Sequence, residues 1–147
     1  MSILTLSSPD FDDGQEIPRE CGYKHGNKIP NLSISNIPEN TKSLVLIMDD
    51  PDAMDIVGKV WVHWLMWNIS PSDKINSSTR AVLGKTDFGE VNYGGPAPPD
   101  KRHTYIFKLY AIDTILDLPL GSDREQLKST IDGHIIQETS LKGTFTP

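Results

Sequence analysis

Cysteine is almost absent: Cys21 stands alone among the 147 residues, so an intrachain disulfide is excluded and the core must hold the fold by itself. Long apolar stretches are missing too. The longest uninterrupted aliphatic run is LVLIM, Leu44 to Met48, far short of the roughly 20 residues a membrane-crossing helix needs. Basic charge is in deficit, with 14 Lys and Arg against 20 Asp and Glu and a formal charge of −6. No general field then exists to gather nucleic acid or an anionic lipid surface, and any bound anion must be held by a local arrangement. The opening MSILTLSSPDFDDGQEIPRE places acids and turn formers where a secretory signal needs an apolar centre, so a cytoplasmic location is expected. Internal repeats, low-complexity tracts and a linker between two cores are also lacking, which argues for a single domain over residues 1–147.

What is present is punctuation. Gly and Pro number 11 each, and the turn-forming stretches SSPDFDDGQEIP, HGNKIPN, SNIPENTK, DDPDAMD and NISPSD cut the chain into short apolar segments. That pattern predicts a mainly β protein, an antiparallel β-sandwich or barrel. Three segments read as central strands: Ser43 to Asp49, Lys59 to Ile69 and His103 to Ile112. Alternation along a strand would put Trp61, His63, Leu65 and Trp67 on one face, and His103, Tyr105, Phe107 and Leu109 on one face of another strand. One or two short helices are expected near the C-terminus. The clearest is in GSDREQLKSTIDGHII, where Ser122 and Glu125 have capping-box spacing and Leu127, Ile131, His134 and Ile135 recur at helical spacing. Gly133 weakens its last turn.

Candidate chemistry gathers at the strand ends. The apolar strand ending in Asp49, Asp50, Pro51 and Asp52 sets carboxylates at the rim of the sheet, where proline stops the ladder. His63 lies within the most hydrophobic strand, and His103 opens another directly after NYGGPAPPDKR. In that loop Gly94 and Gly95 are expected to take positive φ and expose N–H groups, while Pro96, Pro98 and Pro99 stiffen the chain before any ligand arrives. Three kinds of site are compatible with these residues. Asp50, His63 and His103 suit a divalent metal in type, although no closely spaced histidine pair supports one. A hydrolase could use the same three with Tyr105, but no serine or cysteine stands in a nucleophile elbow. A binding pocket asks least: an imidazolium kept charged by the carboxylate, a phenol and backbone N–H groups would donate to a phosphate. No cofactor, no metal and no enzymatic activity are therefore expected.

In order along the chain, LVLIMDDPDA, VWVHWLMWNI, YGGPAPPDKRHTYIFKLYA and GHIIQETSLKGTF resemble the phosphatidylethanolamine-binding protein family, in particular its bacterial and archaeal Raf-kinase-inhibitor-like branch. The resemblance implies an antiparallel β-sandwich with a small anion pocket at one end. By position it implies that Asp50, His63, Gly95, Pro98, His103 and Tyr105 line a pocket for phosphate, acetate or a phosphoethanolamine-like head group, with Asp52 bracing the turn and Trp61 and Pro96 nearby. It further implies regulation of a partner protein by kinase or serine-protease inhibition. A homodimer through an exposed sheet edge stays open. Of the remaining singular residues, His134 is expected to cap or pack, His25 to face solvent, and Cys21 to be unreactive; Met48, Met54 and Met66 are expected to fill core or rim.

Overall fold

A strand reads as apolar on both faces when both faces of its sheet are covered, and the central strand β3 (Ser43–Asp50) is buried along its whole length. The computed structural model describes residues 3–147. In chain order the elements are β1 (Thr5–Ser7), β2 (Leu32–Ser35), β3, α1 (Met54–Val57), β4 (Trp61–Ile69), β5 (Lys74–Ile75), β6 (Val82–Leu83), β7 (His103–Ile112), α2 (Arg124–Ile131) and β8 (Ile135–Phe145). A sheet of order β6-β4-β3-β7-β8 packs against a smaller one of order β1-β2-β5, with every named strand pair antiparallel.

Two cores result. Leu44, Leu46 and Met48 of β3 and Tyr105, Phe107 and Leu109 of β7 meet Leu6, Leu32, Ile34 and Ile75 of the small sheet. On the opposite face, Val45 and Ile47 with Tyr110 and Ile112 pack against Leu116 and against Leu127 and Ile131 of α2. The expected sandwich is therefore present, with α2 as a third layer. Asp49 and Asp50 follow the same alternation. Asp49 faces α2, where Arg124 and Lys108 lie 3.2 and 3.4 Å from its Oδ2, whereas Asp50 faces His103.

β4 does not keep a simple alternation. Met48 pairs with Trp64 but Asp49 pairs with Val62, so His63 is an extra residue in β4, a β-bulge. The expected single face is split accordingly. Leu65 and Trp67 join Val62 in the core against α2, while His63 and Trp61 turn to the other side, where the His63 ring meets Tyr105 edge-on at 5.1 Å.

Near the C-terminus the helix starts one residue later than its sequence spacing suggested. Asp123, not Ser122, is the N-cap: its carboxylate accepts from the Gln126 N–H, and the Gln126 side chain accepts from the Asp123 N–H, so the reciprocal pair is Asp123 with Gln126. The Ser122 hydroxyl instead donates to the Pro119 carbonyl. α2 ends at Ile131, and His134 and Ile135 do not extend its apolar stripe. His134 is exposed and bonds Asp113 through Nδ1 at 2.8 Å, while Ile135 begins β8. The second short helix, α1, is not near the C-terminus; it is a single turn reached from β3 through the turn Pro51–Ala53. Loss of the cap in Asp123→Ala should lower stability by about 1 kcal/mol, with Asp123→Ser retaining most of it, as read from urea unfolding midpoints.

Candidate functional site

β3 ends where Pro51 cannot continue the ladder, and a tight turn over Pro51–Ala53 leads into α1. The Asp50 carboxylate caps that turn, its Oδ1 accepting from the Asp52 N–H at 2.9 Å. Asp52 in turn accepts from the Thr104 N–H at 2.8 Å, so it braces the turn against the start of β7. The other oxygen of Asp50 lies 2.6 Å from Nδ1 of His103, a fully buried bridge between β3 and β7.

His103 has a second carboxylate partner. Nε2 lies 2.7 Å from Asp100 Oδ1, so both ring nitrogens donate to carboxylates and the ring is an imidazolium. Burial works against that charge, but the bonds to Asp50 and Asp100 outweigh it and raise the His103 pKa. Burial likewise raises Asp50, with His103 opposing it. For Asp100, which stands at the surface, the bond from His103 and the local N–H groups prevail over desolvation and lower its pKa.

His63 is the opposite case. Its Nδ1 lies 2.7 Å from the Gly94 carbonyl, which can only accept, so Nδ1 carries the proton. Burial drives its pKa from 6.5 down to about 4. The ring is therefore neutral at physiological pH, and Nε2 keeps a free lone pair with no hydrogen-bond partner among the described residues. The loop after β6 holds this arrangement in place. Asp87 accepts from the Val62 N–H at 2.7 Å, Gly94 donates to the His63 carbonyl at 2.8 Å, and Phe88 stacks on Tyr23 at 4.1 Å while meeting His63 and Trp61 edge-on.

The glycines serve packing, not ligand approach. Neither Gly94 nor Gly95 takes a positive φ. A Cβ on Gly94 would fall 2.4 Å from the Phe88 ring, and one on Gly95 would fall 1.9 Å from the Cys21 carbonyl oxygen. Their N–H groups are committed as well, Gly94 to His63 and Gly95 to Asn27 Oδ1 at 2.7 Å. Gly95 is thus a buttress behind the wall. Pro98 faces a neighbouring cavity with Pro96 and Phe145; the chain reaches the central cavity through Ala97 and Pro99.

That cavity has a volume of about 160 Å³ and is lined by Asp50, Trp61, His63, His103 and Tyr105, with Ala53, Ile56, Val57 and Phe88 completing it. Its rim is apolar, since Ile56 and Val57 of α1 line it and are exposed. Tyr105 is fully buried, its pKa raised by burial and by Asp50 with the Ala97 N–H opposing, and its hydroxyl proton has no acceptor among the described residues. What the wall offers is one free neutral donor and one free neutral acceptor beside a charge cluster already paired within itself. No group of three His, Cys, Asp or Glu side chains among the described residues is arranged to hold a metal ion.

Several participants escaped sequence reading. Asp100 is visible only as one more acid in a polar loop, and Asn27 and Phe88 come from turns remote in sequence; the HGN turn was the one available signal for Asn27, whose φ is 53°. Cys21 is buried, and its thiol pKa is pushed up to about 11 by burial, so it stays protonated. The folded state holds fewer protons than the unfolded chain between the lowered His63 value of about 4 and its ordinary 6.5. Stability contributed by neutral His63 should therefore be complete above that window and fall as pH drops through it, by on the order of 3 kcal/mol. His103 works in the other direction, its contribution being lost as pH rises through its raised pKa. Histidine ring NMR at neutral pH should find His63 neutral with its proton on Nδ1 and His103 doubly protonated, and urea midpoints should track the loss on acidification.

A sequence profile described as phosphatidylethanolamine-binding protein matches residues 7–146. Relatives include a UPF0098 protein of Chlamydia trachomatis, 38% identical with 97% of this chain and 98% of the relative covered, and one of Methanothermobacter thermautotrophicus, 37% identical with the same coverage. Among solved structures, a putative phosphatidylethanolamine-binding protein homologue from Chlamydia trachomatis superposes with a TM-score of 0.92 at 37% identity, covering 98% of this chain and 97% of the other. Escherichia coli YbcL, described as a member of the mammalian PEBP family, gives 0.87 at 26% identity with 98% of both chains covered. Pairing of Asp50 with His103 at the end of a two-sheet sandwich, near-complete coverage by the profile and these close structural likenesses agree: the chain belongs to the phosphatidylethanolamine-binding protein family, on its prokaryotic side.

Proposed function

We propose that the cavity binds the oxyanion end of a small ligand, such as phosphate, acetate or a phosphoethanolamine-like head group, and that the protein acts as a cytoplasmic regulator of a partner protein, as an inhibitor of a kinase or a serine protease. The observation that carries the pocket reading is the Tyr105 hydroxyl, buried at the cavity wall with no acceptor for its proton among the described residues. An unmet buried donor costs about 1–3 kcal/mol, so a ligand oxygen that accepts from it recovers a penalty the empty pocket bears. Size supports the same reading: about 160 Å³ is below the roughly 300–1,000 Å³ of pockets for drug-sized ligands and suits a single polar group.

Affinity for a bare anion should be modest. One or two hydrogen bonds to a charged ligand contribute on the order of 1.5–3 kcal/mol each, from which association costs are subtracted, leaving millimolar binding or somewhat better. The exposed side chains of Ile56 and Val57 at the mouth favour a head group carried on a larger, partly apolar body. Binding is preferred to hydrolysis because Asp50 and His103 are already bonded to Asp52, to Asp100 and to each other, which leaves neither free to attack a substrate or activate water.

The decisive variant is Tyr105→Phe, which removes the hydroxyl and keeps the ring. It should leave stability unchanged or slightly higher and weaken phosphate binding about tenfold to a hundredfold, measured by histidine NMR shifts during a phosphate titration. Unaltered phosphate affinity in this variant would contradict the pocket reading. The regulatory arm predicts micromolar or tighter inhibition within a panel of serine proteases and protein kinases, and a panel without inhibition would count against it.

A further inference from the structure

The cavity is an unusual place for an anion. Its one cation, His103, is enclosed by Asp50 and Asp100, and Asp52 lies on the same turn. Two carboxylates thus enclose one imidazolium, with a third on the adjoining turn, and neither N–H of that ring is left for a ligand. The N–H groups of Gly94 and Gly95 are also spent. What remains is asymmetric: the Tyr105 hydroxyl can donate, and His63 Nε2 can only accept while the Gly94 carbonyl holds the proton on Nδ1. A fully deprotonated carboxylate or phosphate has acceptors alone. Facing Nε2 it would set lone pair against lone pair, inside a cluster that is already net negative.

From this arrangement, and resting on the oxyanion reading above, we infer that the pocket takes its ligand together with a proton. The species bound is an oxyacid group with one O–H and one acceptor oxygen: a carboxylic acid, or a phosphate monoester in its monoanionic form. Its O–H donates to His63 Nε2, and its other oxygen accepts from Tyr105. For a carboxylate or a phosphate monoester dianion the proton is drawn from solvent as the anion enters, and whether it rests on the ligand or on Nε2, the complex holds one proton more than the separated partners; inorganic phosphate keeps an O–H at neutral pH and needs no such uptake.

Of the charged groups packed around His63, Asp87 favours a proton at Nε2 and the imidazolium of His103 opposes one. β7 contributes His103, already charged, and Tyr105, neutral. β3 contributes Asp50, bonded to His103, and the loop after β6 contributes Asp87, held by the Val62 N–H and by Lys59 at 2.7 Å. On its remaining sides the ring meets Phe88 and the carbonyls of Gly94 and Gly95. The acids favour arrival of a proton at Nε2 and oppose arrival of a bare anion; the His103 charge acts the other way on both, but it is enclosed by the carboxylates of Asp50 and Asp100. The pocket should accordingly prefer monoprotonated phosphate to sulfate, which carries no proton at any working pH.

The experiment is a titration of the intact protein with acetate, and separately with inorganic phosphate, by NMR at a series of pH values from about 5.5 to 7.5, where acetate is largely ionised. The association constant for acetate should fall about tenfold per pH unit, the signature of one proton taken up per ligand. The ¹⁵N resonance of His63 Nε2 should shift toward its protonated position on binding while that of His103 stays in place. In His63→Gln the pH slope should disappear. Saturable binding with an affinity independent of pH would overturn the inference while leaving the oxyanion pocket intact; it would mean that the ligand displaces the Asp100 carboxylate from His103. Absence of acetate and phosphate binding at every pH would remove the pocket reading and this inference together.

Discussion

β4 carries one residue more than β3 between the pairs Met48 with Trp64 and Asp49 with Val62, and that residue is His63. The extra residue reverses which side of the sheet the strand presents. Beyond it, Leu65 and Trp67 remain packed toward α2; before it, His63 and Trp61 turn to the cavity beside Tyr105. A regular strand could not satisfy both demands, because strict alternation would tie His63 to the face of Leu65. The bulge also leaves the His63 carbonyl free to accept from Gly94, whose own carbonyl then fixes the tautomer of the ring. One irregularity in register thus places the ring, docks the loop that walls the cavity and decides which nitrogen carries the proton.

The charges at this end of the sandwich are arranged to satisfy one another. Asp50, His103 and Asp100 form a chain of short bonds running from β3 to the surface, and Asp52 ties the same turn to β7. Buried ion pairs add little net stability, since desolvation consumes most of the Coulomb attraction, but removing one member strands the other. The chain therefore acts as a rigid frame for the cavity. Asp49, one residue before Asp50 and on the other face, does comparable work by holding Arg124 at the start of α2 against the sheet. Adjacent acids at the end of one strand serve two layers of the fold.

Much of the architecture was legible along the chain. The three central strands lie within a residue or two of their expected limits, and Tyr105, Phe107 and Leu109 share a face as alternation requires. Asp50, Trp61, His63, His103 and Tyr105 do converge on one cavity. The errors are of one kind. Ser122 and Glu125 have the spacing of a capping box as much as Asp123 and Gln126 do, and only packing of Leu127 and Ile131 into the second core selects between them. Gly94 and Gly95 suggest positive φ and N–H groups presented to a ligand from a stiff loop, yet their small size is used against Phe88, six residues back, and against the Cys21 carbonyl, far away in sequence.

By itself the sequence determined the class of fold, the positions of its strands and turns and the identity of the polar residues available at their ends. These depend on stereochemistry within a few residues: where proline stops a ladder, where apolar side chains alternate, where a carboxylate can cap a turn. Tertiary structure alone decided that His63 is neutral and His103 charged, that Asp100 is the second partner of His103, and that Tyr105 is left with an unanswered hydroxyl. Protonation and pairing are set by burial and by which groups from separate strands come within about 3 Å of one another. Register across the sheet fixes those distances, and a bulge that no local pattern announces sets the register.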